Sequence, residues 1–469
     1  MLLNIFYVYR LDVLDGYGDN GLPKFDFSDQ RWWYKLTQVC GRWRYLTLGS
    51  PSWLGLHLLC THGVPIAKML AHFPSLPLAI YYSEDVHKTT EEDEQGILLA
   101  LRHSDRVHHI SLRLSPMKLR KIIRTMDEQF PILEHLHIVS HYLSDGAWML
   151  PRTFQAPQLR HIWLWDSGFP IGSPLLTTSA GLVSLMLHCI RPSPHTPSLS
   201  NLSTHPTYLL TQLSLLPQLE ILVIEFHSPL ERWHIGWDVW DRPIMPHIPI
   251  TLPNLHLFSF KGDLSYLERF VGHISAPALS TLQIKLFNWR LDPFPPLSQF
   301  IRTSEVLRFR SIRLDFYNQY VRITALHPRP RRRFFSMRVK ERCFLWQVCF
   351  AIEILDTLQP VLSAVEKLTL GHPEQYQSSS WVYAVERTVW RDLLRPFTNL
   401  KTLCVDDQLV GKFAPSLQSE DGESPLELLP NLEVVEYSGG DDDWDAFIPF
   451  LDERRVAGHP VKLIIVHDL

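Results

Sequence analysis

The sequence predicts an α/β chain: a small helical segment at the N-terminus, followed by a solenoid that adds one short strand per repeat to a curved parallel sheet. Three observations predict it. A six-residue apolar pattern returns along most of the chain. Proline stands at one fixed offset ahead of half the copies. The first sixty residues carry no copy and instead show helical spacing.

The repeating pattern is an apolar residue, two variable residues, an apolar residue, one variable residue and a last apolar residue. It reads Leu133, Leu136, Ile138; Leu159, Ile162, Leu164; Leu182, Leu185, Leu187; Leu219, Leu222, Ile224; Leu255, Phe258, Phe260; and Leu279, Leu282, Ile284. It returns as Val365, Leu368, Leu370; Leu400, Leu403, Val405; and Leu432, Val435, Tyr437, with weaker copies starting at Val107, Phe309 and Val461. Pro131, Pro157, Pro217, Pro253, Pro277 and Pro430 each stand two residues ahead of the first apolar position. A proline there ends the preceding segment, because it has no N–H to donate. The last two apolar residues flank a variable one, as on a strand with one buried face.

Start-to-start spacings run from 23 to 56 residues. Short ones leave room for a strand and a tight return, and long ones for a helix, such as Met117 to Gln129 or Leu264 to Ile274. One strand plus a helix or loop per turn is the leucine-rich repeat. The first six full copies are expected as neighbouring parallel strands. Two features make the solenoid irregular. The position three residues after the last apolar one, Asn or Cys in the common repeat, holds His141, Ser167, Ile190, His227 and Asp263, so no asparagine ladder is expected. The gap after Phe309, about residues 315–362, carries the basic run Arg329 to Arg333 and the apolar stretch Phe344 to Leu358, and reads as one degenerate repeat.

Residues 1–60 form a separate helical domain ahead of the solenoid at 61–469. Leu2, Leu3, Ile5, Phe6 and Tyr9 have helical spacing, as do Leu36, Val39, Cys40, Trp43 and Leu46. Leu-Leu-Asn-Ile-Phe at 2–6, with Leu36-Thr-Gln-Val-Cys-Gly-Arg-Trp-Arg-Tyr-Leu46, resembles an F-box, whose second half carries V-C-x-x-W-R. The segments Ser50-Pro-Ser-Trp-Leu, Leu58-Leu-Cys-Thr-His-Gly and Leu76-Pro-Leu are similar to the F-box-like families of mushroom-forming fungi, in which a leucine-rich solenoid follows. The resemblance implies a substrate-recognition subunit of a Skp1-cullin-F-box type ubiquitin ligase, working as a monomer within that complex. Contacts to a Skp1-like adaptor then carry over to Leu2, Leu3, Phe6, Val39, Cys40 and Trp43. Eighteen residues, Asp12 to Asp29, separate the two helices. The alternative is a binding scaffold with a degenerate box and no ubiquitin role.

Composition narrows the function further. Apolar residues are 45% of the chain and aromatics 12%, which marks a folded protein. A net charge of −4 does not mark nucleic acid as a global partner. Cys40, Cys60, Cys189, Cys343, Cys349 and Cys404 form no C-x-x-C pair and read as reduced thiols of a cytoplasmic or nuclear protein. No apolar window is long enough for a membrane span, and the start lacks a basic flank for a signal peptide.

No catalytic role or cofactor is expected. Gly16-Tyr-Gly-Asp-Asn-Gly21 matches G-x-G-x-x-G, but it follows a helix, and Pro23 blocks the helix that would receive a pyrophosphate. His108, His109, His135, His137 and His141 read as a solvated face rather than a metal site, and the aspartates at 441–445 as an acidic turn. The Arg329 to Arg333 run, with Arg338, Lys340 and Arg342, reads as a solvated loop, with a nuclear localisation signal or phosphate patch as the other readings.

The target surface follows from the period. With the apolar triad inward, the residue inside its final pair faces out: His137, Trp163, Met186, Val223, Ser259, Gln283, Arg313, Thr369, Cys404 and Glu436. Trp165, Lys261 and Lys285 stand one outward position further along. Tryptophan is enriched at binding hot spots, so the expected target-binding set on the concave face is His137, Trp163, Trp165, Met186, Lys261, Lys285 and Arg313.

Overall fold

In the computed structural model, the described residues are 2, 3, 6, 32–50, 54–73, 75–85, 87–140, 148–167, 174–190, 206–227, 249–287, 295–303, 309–326, 334–372, 385–419, 422–439 and 442–466. The protein is mixed α/β, and most of its strands pair in parallel. It divides into two compact units, Met1–Thr204 and His205–Leu469.

The first unit begins with the helices Trp32–Val39 and Gly41–Leu48. The expected single helix over Leu36 to Leu46 is broken at Cys40, which is extended at φ −161° and ψ 169° and caps the second helix. β-Branched Val39 and Gly41 are weak helix formers at the joint, and Gly costs about 1 kcal/mol in a helix interior. Six strands follow: β1 (Leu58–Cys60), β2 (Leu78–Ser83), β3 (Val107–Leu114), β4 (His135–Ser140), β5 (His161–Trp165) and β6 (Ser184–Ile190). Each pairs with the next in parallel. The returning helices Ile66–His72, Glu91–Leu101 and Pro116–Ile123 stack on one another. Their buried faces (Ile97, Ala100, Leu119, Ile122) and the triad residues (Leu136, Ile138, Ile162, Leu164) together form the core. The helix Glu91–Leu101 opens with a capping box, in which the Asp93 N–H donates to Thr90 Oγ1 and the Thr90 N–H to Asp93 Oδ2.

The second unit carries β7 (Ile221–Phe226), β8 (Ile250–Thr251), β9 (Leu257–Gly262), β10 (Ile274–Ser275), β11 (Thr281–Leu286), β12 (Ser311–Tyr317), β13 (Tyr320–Leu326), β14 (Phe334–Lys340), β15 (Lys367–Gly371), β16 (Thr402–Asp406), β17 (Val434–Ser438) and β18 (Lys462–Val466). The short β8 and β10 pair apart from the others. The main order is β7-β9-β11-β14-β13-β12-β15-β16-β17-β18, parallel except at β13. On its helical side, Pro206–Leu213, Leu264–Val271, Pro295–Thr303, Phe344–Leu362 and Arg387–Leu394 stack in sequence.

The stretch expected as one degenerate repeat is instead an up-down-up meander. β12 turns through Asn318 and Gln319 into antiparallel β13, and β13 leads to β14, so β14 rather than β12 lies against β11. Antiparallel strands can join through two residues, whereas a parallel return needs a crossover. The apolar stretch at Phe344 becomes the helix Phe344–Leu362, which returns the chain to parallel order at β15.

The recurring proline has a clearer role in the structure than helix termination. In Ala156-Pro157-Gln158-Leu159 the Leu159 N–H donates to the Ala156 carbonyl at 3.1 Å, closing a tight turn with proline second. The same bond closes Phe130 to Leu133, Leu216 to Leu219, Leu252 to Leu255, Ala276 to Leu279 and Leu429 to Leu432. Proline pre-sets the φ that the second turn position requires.

Three asparagines bridge successive copies, at a position other than the usual one. Asn254, Asn399 and Asn431 stand directly before the first apolar residue of their copies. Their Nδ2 groups donate to the carbonyls of Pro217 (3.0 Å), Ser363 (2.6 Å) and Thr398 (3.0 Å), each one copy earlier.

Candidate functional site

Strand pleating sorts each sheet into two faces. The triad residues pack under the helices, and the alternate residues form cross-strand rows on the opposite face.

In the first unit these rows are aromatic and histidine-rich. One row runs Ala79, His109, His135, His161, Ser184; the next runs Tyr81, Ser111, His137, Trp163, Met186; the third runs Ser83, Arg113, Val139, Trp165, His188. His135 and His161 stack at 4.6 Å with rings 8° apart, and His109 stacks on His135 at 5.1 Å. His137 lies 4.6 Å from Trp163 and accepts from or donates to Ser111 Oγ at 3.1 Å. Trp165 stacks on His188 at 5.0 Å. Met186 is buried, while His137, Trp163 and Trp165 are half-buried. The Trp163 Nε1 atom is buried without a hydrogen-bond acceptor among the described residues.

Burial sets the charge state of this face. It pushes His135 down to about 3, with His161 and His108 adding repulsion, and His137 down to about 4, with Arg113 adding to it. His109, buried beside His135, lies well below the ordinary histidine value. At neutral pH these three rings are neutral hydrogen-bonding and stacking groups. Among the described residues no group of three or more His, Cys, Asp or Glu side chains is arranged to hold a metal ion.

In the second unit one of the corresponding rows is mostly neutral and polar and the next is charged. One runs Val223, Ser259, Gln283, Ser336, Thr324, Arg313, Thr369, Cys404, Glu436. The next runs Glu225, Lys261, Lys285, Arg338, Arg322, Asp315, Gly371. Asp315, 1% exposed, accepts from Arg313 Nε at 2.6 Å and Arg322 Nη2 at 2.9 Å. A Cβ on Gly371 would lie 2.8 Å from Asp315 Oδ1 and 3.0 Å from Arg313 Nη2, so glycine makes room for that ion pair. Lys285 Nζ donates to Glu225 at 3.2 Å. The Arg338 guanidinium sits 3.4 Å over the Tyr320 ring, which stacks on Tyr317 at 4.2 Å. Further along, Cys404 Sγ and Lys367 Nζ both donate to Glu436 at 2.8 Å. Burial and that carboxylate push the Cys404 thiol up to about 11, which keeps it protonated at neutral pH.

His137, Trp163, Trp165 and Met186 thus lie together on the first unit; on the second, Lys261 and Lys285 are cross-strand neighbours, while Arg313 lies in the adjacent row, three strands from Lys285. Arg322, Arg338, Tyr317 and Tyr320 were absent from the sequence-derived set. The alternation of Val321-Arg-Ile-Thr-Ala could have revealed β13 and placed Arg322 opposite the buried Val321 and Ile323.

The N-terminal residues divide by exposure. Phe6 is buried and meets Trp43 edge-on at 4.8 Å; Trp43, Leu2 and Leu3 are half-buried. Val39 is 59% exposed, Cys40 is exposed, and Tyr45 is 79% exposed. Trp33 is buried, donates Nε1 to the His57 carbonyl at 3.3 Å and packs on Phe73.

All six cysteines are free thiols. Among the described residues no helix is long and apolar enough to cross a membrane. The glycine-rich loop at 16–21, His141, the basic run at 329–333 and Asp441 lie outside the described residues. No family model matches the chain, and no curated protein matches it.

Proposed function

We propose that the chain is the substrate-recognition subunit of a Skp1-cullin-F-box type ubiquitin ligase. In this reading the strands belong to an irregular leucine-rich solenoid, and the face opposite the helices holds a target protein. The observation that supports it is the character of the rows opposite the helices in each unit taken by itself: His137, Trp163 and Trp165 in the first, and Lys261, Lys285 and Arg313 in the second. Such side chains supply large contact area and orienting charge. Function then comes from proximity: a bound target has its lysines held at high effective concentration beside the ligase. This activity belongs to the cytoplasm or nucleus.

Docking on a Skp1-like adaptor falls to the exposed Val39, Cys40 and Tyr45, beside half-buried Leu2, Leu3 and Trp43. One observation favours the second reading, a binding scaffold with a degenerate box: Phe6 and Trp43 are engaged with each other. A pull-down separates the two. The first reading expects the immobilised chain to retain purified Skp1 and Val39→Glu to abolish retention without changing the melting temperature. Failure of the unmutated chain to retain Skp1 leaves the scaffold reading. Target binding is checked by quantitative capture with Trp163→Ala/Trp165→Ala; an unchanged set of captured proteins refutes the face as the recognition surface.

A further inference from the structure

We infer that the open edge of β18 docks the β18 of a second copy of this chain, antiparallel, about a two-fold axis at Ile464. The inference goes beyond the proposed function and does not depend on it, because it uses a sheet edge and not the face opposite the helices.

Among the described residues β18 pairs on one side only, with β17. The Lys462 N–H donates to the Glu433 carbonyl at 2.9 Å, so the backbone groups of Lys462, Ile464 and Val466 belong to the β17 side. Alternation then turns the N–H and C=O groups of Leu463 and Ile465 toward the open edge. The side chains are open as well. Leu463 and Ile465 stand in register with Val435 and Tyr437, both fully buried, yet Leu463 is half-buried and Ile465 is 38% exposed. On the other face Ile464 is half-buried and Val466 is exposed. Of the eleven large apolar side chains exposed among the described residues, Ile465 and Val466 lie on this strand, and Ile448 and Val456 lie on the helix that leads into it, Ile448–Val456. The exposed apolar surface of the chain is thus concentrated here. Natural sheets protect such an edge with proline, bulges or charge. β18 has no proline and no register shift, and its one charge, Lys462, stands at its first position.

The pattern of this strand is complementary to itself. A two-fold axis at Ile464 sets Leu463 opposite the second copy's Ile465, so the outward N–H and C=O groups of the two strands face each other and exchange both bonds. Apolar side chains then meet apolar ones on the helical side. Lys462 falls opposite the second copy's Val466, which keeps the two lysines at opposite ends of the joint. Parallel self-pairing in register would set them side by side, where like charges repel. The two copies of the helix Ile448–Val456 lie on the same side of the extended sheet. Asp452 and Arg455 are exposed on that helix three residues apart, and a two-fold turns the acid of one copy toward the base of the other. A head-to-tail joint would need a matching edge at β1. Leu58, Leu59 and Cys60 are buried there, and Trp33 donates Nε1 to the His57 carbonyl immediately ahead of the strand.

The test uses the full chain in sedimentation equilibrium at about 1–100 μM, a range that spans the affinity of a modest interface. The mass should rise with concentration from that of one chain toward that of two, and no further. Val466→Lys and Val466→Glu place like and opposite charge against the second copy's Lys462 at one exposed site. The glutamate variant should dimerise about tenfold tighter than the lysine variant, with circular dichroism melts confirming that both fold. Ile464→Cys stands at the axis, where facing residues lie ~4.5 Å apart, within reach of a disulfide. Mild oxidation should give a covalent dimer that dithiothreitol reverses, whereas Val466→Cys and the unmutated chain, with its own free thiols, should not. A single-chain mass at every concentration overturns the inference and leaves the edge to an extended segment of another protein. Species larger than two chains, equal dimerisation of the two Val466 variants, or no covalent dimer from Ile464→Cys each overturns it as well.

Discussion

Acid should destabilise the first unit, and the cause is three histidines on two adjacent cross-strand rows. His109, His135 and His137 have native pKa values pushed down by burial, His135 to about 3 and His137 to about 4. A group whose native value lies below its unfolded value takes up a proton on unfolding, so acid favours the unfolded chain. The native state is at full strength above the unfolded histidine value near 6.5, and stability falls progressively from there toward the native values. At pH 5 the loss is set by the unfolded pKa alone, because all three rings are still neutral in the native state. Each then forfeits about 2 kcal/mol, and the three together about 6 kcal/mol, against a whole-domain stability of about 5–15 kcal/mol. Glu84 and Asp93, whose values are lowered in the folded chain, lose their contribution only near and below the ordinary carboxylate range, outside this window. The assay is urea unfolding followed by tryptophan fluorescence at intervals from pH 7.5 to 5. The midpoint should fall steeply, and His135→Asn should reduce the fall by about a third. A midpoint constant across that range, or an equal fall in His135→Asn, would refute the assignment of these three histidines as neutral in the folded chain.

Other substitutions test the remaining packing. Phe6→Ala should lower the stability of the first unit by about 3 kcal/mol, and Trp43→Ala by less because that ring is half-buried; thermal melts decide the order. Gly371→Ala should cost about 1–3 kcal/mol by pressing on Asp315 and Arg313, and Asp315→Ala, which removes the carboxylate that the new methyl would meet, should erase most of that difference in a double-mutant cycle. Asn399→Ala and Asn431→Ala should each cost about 0.5–1 kcal/mol in denaturant unfolding, since both side chains are solvent-exposed; a null effect would make these bridges incidental.

What the sequence made legible was whatever repeats. Each apolar triad marks a strand and its buried face, because a sheet covered on one side enforces a period of two whatever the neighbouring loops do. That argument placed Leu136 and Ile138 inward and His137 outward from one copy, and register then carried it along each sheet. It stopped where the chain stops repeating. β13 and β14 alternate as regularly as any triad strand, but their pattern lacks the leading apolar residue and fixed proline, so the stretch read as a loop and a helix. The consequence reached the candidate site, because Arg322 and Arg338 entered the charged row only through those two strands. The break at Cys40 was hidden for a related reason. Leu36, Val39, Trp43 and Leu46 hold helical spacing across the joint, and periodicity does not register one extended residue between two short helices. The asparagines were visible as residues but not as bridges. Their partners are carbonyls one copy earlier, so their meaning depends on how copies stack, and that stacking is set by long-range register and not by any local pattern. The site followed the same division: its outward faces could be read from the period, while its charge pairing, Asp315 between two arginines and Glu225 reached by Lys285, existed only once strands distant in sequence lay side by side.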